Sequence, residues 1–407
     1  MEKTTSNIIS FVLFIISPIV AIYFFVIQKY SQFSFYLIWL LSSYFGFTYN
    51  FSIATTDGSQ KANLFSLLAN NSIRIDNVFG DLFYNEKYHL ADIIEPLLMF
   101  VVSRFTHNPQ YLFLLFGIIV GFFYAKIIDS LVQLNKLNQE FSLSKYFIFL
   151  FSCLIPFWGI GNFRFLCATL IFIDQSINVI FLGKKIIVAN AILSIITHSS
   201  MILPFVLLLF RNFFRMFNSW ILLILVLITS FVSFKEELTP IAKSFGGNSL
   251  NSTYLSDDYI ETIKTQKEMS SWFIKLKENL LKFTSVFLLL FVFFKIDNKE
   301  YFVNYIFIFF IIGNISAYFP SGERILMPAQ NLLYAFIIIK MDVFNSFVSN
   351  LNLKYLLKLV IFFIAFIILR FSLEEINIAF LFVSPIIYMF FQEFSSVWEN
   401  IAFLFRF

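Results

Sequence analysis

Apolar residues fill this chain in long runs, separated by short polar turns and two long polar stretches. The runs at 8–27, 33–53, 111–134, 165–182 and 220–234 each approach or reach bilayer length, as does 146–157 with its flanks. A helix rises 1.5 Å per residue and needs about 20 apolar residues to cross the hydrocarbon core. Further apolar runs follow near 280–294, 301–319, 325–339, 355–371 and 376–392. The pattern predicts an all-α, polytopic integral membrane protein of about 12 to 14 transmembrane helices, some broken or re-entrant. It forms a single membrane domain over 1–407, with extracytoplasmic loops at about 55–92 and 235–279. An outer-membrane barrel would alternate apolar and polar residues along short strands, and these runs do not.

Two runs break the simple scheme. Residues 93–105 would make a helix of about 20 Å, too short to cross, and are expected to be re-entrant or interfacial. Residues 186–210 have basic residues at both ends, Lys184 and Lys185 before and Arg211 and Arg215 after. A single span would put one cluster outside. Two half-helices meeting at Thr197-His198-Ser199-Ser200 avoid this. Such breaks are tolerated at membrane depth only where they are packed in protein or line a cavity.

Composition agrees with the pattern. Hydrophobic residues make up 59% of the 407 and charged residues 13%, against about half and a quarter in a soluble domain. Mean hydropathy is +0.81. These values exclude a cytosolic enzyme, a nucleic-acid binder, a disordered chain and a disulfide scaffold. Phenylalanine reaches 61 residues, which lipid accepts as it does any large apolar side chain. Cys153 and Cys167 both sit in apolar runs, which argues against a disulfide framework. The N-terminal run is too long for a cleavable signal.

Charge placement sets sidedness. The short loops carry the lysines and arginines, at 28–29, 136–145, 183–185, 211–215, 295–299 and 340–358. The positive-inside rule assigns these to the cytoplasm and the two long polar stretches to the outside. Several polar residues then gather toward the outer face. They are Asp57, Glu95 before Pro96, Arg104, His107, Asn162, Arg164, His198, Ser199, Ser200, Glu323 and Arg324. An ionisable group at mid-membrane costs about 2.5–3.5 kcal/mol on insertion scales and is a functional candidate by default. Plainer roles stay open. Glu95-Pro96 makes a good helix start, Arg104 can snorkel to headgroups, His198 can be a satisfied interhelical group, and Arg164 and Arg324 can be interfacial anchors. Asp174, within a span, calls for a packing partner. Lys61, Arg74 and Lys87 read as solvated loop charges, as do Asp257 and Asp258.

At these residues the chain resembles the EpsG / Wzy-type family of bacterial polysaccharide polymerases. The likeness runs over roughly residues 50–340. It rests on Thr56-Asp57-Gly58 after the second span, Glu95-Pro96 before a short helix, Gly161-Asn162-Phe163-Arg164-Phe165, His198-Ser199-Ser200, and a late Arg324. The chain departs from the family pattern at Phe165, where Gln is usual, in the Asn–Arg spacing, and in the form of the first motif. The resemblance implies a fold like the GT-C-type membrane glycosyltransferases, in the bacterial inner membrane with the active site facing outward. The implied activity is repeat-unit polymerisation. A growing glycan leaves undecaprenyl pyrophosphate and joins a hydroxyl of an incoming undecaprenyl-pyrophosphate-linked unit, with a chain-length regulator and a flippase as possible partners.

That chemistry needs cations where the pyrophosphate leaves, a task suited to the arginine fork, and a base at the attacking hydroxyl. Arg164, Arg324 and, more weakly, Arg104 are the candidates for the first task. His198, Glu95 and Asp57 are the candidates for the second, with Asn162, Ser199 and Glu323 in support. Tyr254, Tyr259 and Trp272 are available for stacking on sugars. No metal, cofactor or nucleic acid is expected, since no ligand spacing, Walker loop or dinucleotide fingerprint occurs. The competing classes are a flippase for the same lipid-linked sugar and a ligase moving finished glycan to another acceptor.

Overall fold

The computed structural model describes residues 9, 11–27, 32–49, 51, 57–70, 92–134, 143–232, 272–296, 301–317, 322–348, 351–372 and 382–390. All regular structure among them is helical. In chain order the α-helices are α1 (Pro18–Ile27), α2 (Gln32–Phe47), α3 (Asp57–Asn70), α4 (Ile94–Ser103), α5 (Pro109–Leu134), α6 (Leu143–Leu154), α7 (Phe163–Ile180) and α8 (Val188–Thr197). They continue as α9 (Ile202–Leu209), α10 (Ser219–Phe231), α11 (Trp272–Lys295), α12 (Tyr301–Ser316), α13 (Glu323–Ile339), α14 (Met341–Phe347), α15 (Leu351–Ser372) and α16 (Pro385–Phe390).

Four described helical stretches are long and apolar enough to cross a bilayer: Pro109–Leu134, Ile160–Ile180, Ser199–Met216 and Asn352–Leu369. Counting α13 and α14, bent by 83°, as one broken span makes five. Shorter apolar helices of 10–17 residues include α4, α8 and α10. The sequence expectation is about 12 to 14 spans; four or five are seen among the described residues, where the runs in α8 and α10 form helices of only 10 and 13 residues. The architecture is compatible with a multi-pass membrane protein.

α7 lies at the centre, with 83% of its apolar window buried, while only 28% is buried on α15. α7 packs on α5, α8 and α13, and α13 in turn on α12 and α6. The periphery is apolar too. α15 exposes Tyr355, Leu359, Phe362 and Phe366, and α10 exposes Ile221, Ile224, Ile228 and Phe231. Steps of three and four place each set on one helix face, a face suited to lipid rather than water.

The most extensive helix–helix contact among the described residues is that of α2 with α5. Lipid offers no hydrophobic drive for association, so small residues that admit close backbone approach decide such pairs. α5 carries Gly117 and Gly121 four apart, and each faces Ser42 of α2; a Cβ at Gly117 would run into the Ser42 carbonyl oxygen. The Trp39 indole N–H donates across the same interface to the Ile118 carbonyl at 2.7 Å.

Three boundaries differ from the sequence expectation. Residues 57–70, assigned to a polar outer loop, form α3, with Gly58, Ser59, Ala62, Phe65 and Leu68 buried on one face. α11 starts at Trp272, inside the stretch read as loop to 279. α13 starts at Glu323, two residues before the apolar run near 325–339, and runs through Pro328. Pro328 has no amide to give the Arg324 carbonyl, which lies four residues earlier in the helix.

Other expectations hold. α4 is a short helix over 94–103 with Glu95 and Pro96 in its first turn. The run at 186–210 breaks at His198, whose backbone is extended between α8 and a 3-10 turn over Ser199–Met201. Cys153 and Cys167 are free and buried. Asp174 has its packing partner: Lys126 donates to its Oδ2 at 2.7 Å. Asn178 also donates to Asp174, and the Lys184 ammonium donates to the Asn178 side chain. This network ties the turn after α7 to α5. Asp174 lies ten residues along α7 from Arg164, about 15 Å away along the axis.

Candidate functional site

Five charged side chains and a histidine converge where α3, α4, α7, α8 and α13 meet. Each is positioned by local backbone chemistry. The α6–α7 connection turns through Pro156 and Gly159 into a 3-10 turn, Ile160–Asn162, and then into α7. Phe163 stacks on Phe116 of α5 with centroids 4.0 Å apart. That stacking fixes the first turn of α7, and Arg164 is its second residue.

α8 returns along α7, and Ser194 Oγ donates to the Ala168 carbonyl at 2.8 Å. The last carbonyls of a helix lack intrahelical partners. One of them, on Ile196, accepts the Ile93 amide at 3.1 Å. The break carrying His198 is thereby joined to the segment carrying Asp92 and Glu95.

Glu95 is buried, with a side chain 2% exposed. Its Oε2 accepts from Lys61 Nζ at 2.8 Å and lies 3.7 Å from Arg164 Nε. Arg164 donates to Asp92 Oδ2 at 3.1 Å. Asp92 Oδ1 is buried and has no hydrogen-bond partner among the described residues.

The tautomer of His198 follows from its neighbours. The Ser200 amide donates to Nδ1 at 3.2 Å, and Ser200 Oγ lies 2.8 Å from the same nitrogen. Nδ1 is therefore an acceptor, and the neutral ring carries its proton on Nε2. Nε2 lies 3.4 Å from an Arg324 guanidinium nitrogen, which can only donate. Two donors thus face one space. Among the described residues no carboxylate lies within ion-pair distance of Arg324, which is exposed.

A cavity of ≈ 280 Å3 adjoins this cluster. Its walls are mostly apolar, from Leu154, Ile155, Pro156, Phe165, Leu166, Met327 and Ile368, with Asn162, Thr169 and Lys277 as polar members. Phe165 belongs to both regions, since its ring meets His198 edge-on with centroids 5.5 Å apart.

The structure brings Glu95, Arg164, His198 and Arg324 together, as the sequence expectation had them. Asp57 lies one helical turn before Lys61, exposed at the start of α3. Asn162 is exposed and lines the cavity. Ser199 is half-buried in the turn after His198, and Glu323 is exposed in the first turn of α13.

Arg104 is directed elsewhere. It ends α4, donates to the Leu68 carbonyl at 2.7 Å and lies over the Phe100 ring. It therefore serves the end of α3, nine residues along α4 from Glu95, or about 13 Å.

Two members of the cluster escaped sequence reasoning. Lys61, read as a solvated loop charge, has a side chain only 12% exposed and is ion-paired. The spacing of Gly58, Ala62, Phe65 and Leu68 is the helical signal that could have exposed this. Asp92 sat at the edge of a polar stretch, three residues before Glu95, where nothing distinguished it. Arg74, Lys87, Tyr254, Tyr259, Asp257 and Asp258 lie outside the described residues.

The chain matches no protein-family model, no curated protein sequence and no solved structure.

Proposed function

We propose that this chain is a bacterial inner-membrane glycosyltransferase that polymerises lipid-linked oligosaccharide repeat units. The observation that carries the reading is the pair of donors, His198 Nε2–H and the Arg324 guanidinium, facing one space with Arg164 in the same cluster. An anionic oxygen placed there would accept from both. Charge-assisted hydrogen bonds of this kind are among the strongest available. The adjoining apolar cavity suits an anion that carries a lipid chain, and the resemblance to the polysaccharide polymerases supplies the class: undecaprenyl pyrophosphate.

In this mechanism the pyrophosphate of the donor lies against Arg164, Arg324 and His198. A hydroxyl of the incoming unit attacks the anomeric carbon, the bond to the pyrophosphate oxygen breaks, and the hydroxyl proton passes to a carboxylate. Negative charge grows on the leaving group, and fixed donors aimed at it lower the barrier. His198, with its proton on Nε2, acts as a hydrogen-bond donor to the leaving group. Asp92 is the better-placed base, because its Oδ1 has no competing donor among the described residues, whereas Glu95 is held by Lys61. The site faces outward, where lipid-linked units are available after flipping.

The test is the surface glycan of cells carrying Arg164→Ala or Arg324→Ala. Both variants should reach the membrane at normal levels and lose long-chain polymer while keeping single repeat units. A normal polymer ladder from both would overturn the assignment of the clamp. Complete loss of surface glycan on deleting the gene would favour a flippase or ligase instead.

A further inference from the structure

The cluster holds a cation that the mechanism above does not use. Lys61 Nζ is shared between Glu95 Oε2 at 2.8 Å and the Gly161 carbonyl at 2.7 Å. Gly161 lies three residues before Arg164, and Glu95 lies three residues after Asp92. One ammonium therefore joins the two backbone segments that carry the Arg164–Asp92 pair.

The approach is close because Gly58 of α3 and Gly161 both face the Tyr49 ring, and a Cβ on either would collide with it. Lys61 also competes with Arg164. Both cations reach the same Glu95 oxygen, Lys61 at 2.8 Å and Arg164 Nε at 3.7 Å. The shorter contact goes to Lys61, and the Arg164 fork turns its NH1 to Asp92 at 3.1 Å.

Without Lys61, the buried Glu95 carboxylate would face only Arg164 among the described cations. Leaving a buried charge uncompensated is strongly unfavourable, so Arg164 would be drawn onto Glu95 and away from Asp92.

We propose that Lys61 is the positioning residue of this site: by occupying Glu95 and pinning Gly161, it keeps the Arg164 guanidinium available to an anionic ligand. The proposal rests on the reading of the cluster as an anion site. It predicts a specific rescue. If Glu95 becomes neutral together with Lys61, Glu95 no longer draws Arg164 away.

The experiment uses the full chain, purified in nanodiscs, with inorganic pyrophosphate as the titrant. Lys61→Met should weaken pyrophosphate binding about tenfold, the worth of one charge-assisted hydrogen bond. The double variant Lys61→Met/Glu95→Gln should return to within about threefold of wild type, the coupling expected of groups in one network. Lys61→Arg should bind nearly as well as wild type.

Unchanged binding in Lys61→Met, or a double variant no better than Lys61→Met, would overturn the proposal. The second result would mean that Lys61 touches the anion itself or serves only the fold. If wild type binds no pyrophosphate, the anion reading falls separately. Melting temperatures then decide only the premise, that Lys61 is what holds Glu95. Recovery of the Lys61→Met loss by Glu95→Gln supports that premise, and additive losses overturn it and the proposal with it.

Discussion

His198 shows how much depends on a single proton. Its Nδ1 is occupied by the Ser200 amide, so Nε2–H is the end of the ring that the proposed mechanism uses. A glutamine amide can place a donor near the same point. In a polymerisation assay His198→Gln should keep within about tenfold of wild-type activity, while His198→Ala should lose 10²–10³-fold, the range for removing one oxyanion donor. Equal loss in both would mean that the ring serves as a base. Asp92 gives the complementary prediction. Asp92→Asn keeps the shape and a hydrogen bond to Arg164 but cannot take a proton, so turnover should fall by about 10²–10⁴-fold with little change in affinity for the lipid-linked donor. An unchanged turnover number would remove Asp92 from the chemistry.

At the level of elements, the site depends on helices that are short or interrupted. α4 has only ten residues, too few to cross, so it can deliver Glu95 from its first turn into the protein. α8 ends at Thr197, leaving carbonyls free to bind the Ile93 amide. A longer helix would consume both features. The scaffold behind them is the α2–α5 pair, and Gly121→Leu in α5 would insert a large side chain against Ser42 and the Trp39 carbonyl. Overpacking typically costs about 1–3 kcal/mol, so this variant should melt several degrees lower in a detergent-based thermal assay. Away from the cluster, Lys126→Met would leave Asp174 buried without its cation. Breaking one side of such a pair costs about 3–5 kcal/mol when fully buried, and less here because the Lys126 side chain is 38% exposed. Lys126→Met/Asp174→Asn should recover most of the melting temperature; no recovery would show that the pair is not what holds the turn after α7.

At the scale of the molecule, two charged clusters lie at the two ends of α7: the Arg164 cluster at its start, and the Asp174–Lys126–Lys184 network toward its end. The proposed sidedness then makes a labelling prediction. Cys153 and Cys167 are buried and should give a low background. An impermeant maleimide applied to intact cells should label Asn162→Cys and Glu323→Cys, and should label Lys184→Cys only after permeabilisation; the reverse pattern would invert the topology. The sequence by itself determined the helical membrane character, because long apolar runs and 13% charge leave no other way to satisfy the backbone. It also marked Glu95, Arg164, His198 and Arg324, since charges are rare enough in such a chain to stand out. It could not pair them. Lys61 stands 34 positions from Glu95 and 100 from Gly161, and Arg324 stands 126 from His198. Contacts across such separations leave no local periodicity to read. Only tertiary packing decided that Arg104 serves the end of α3, that Lys61 holds Glu95, and that Asp92 keeps an unpartnered oxygen among the described residues. The physical reason is that burial and proximity, not residue type, determine whether a charge is solvated, paired or free to act.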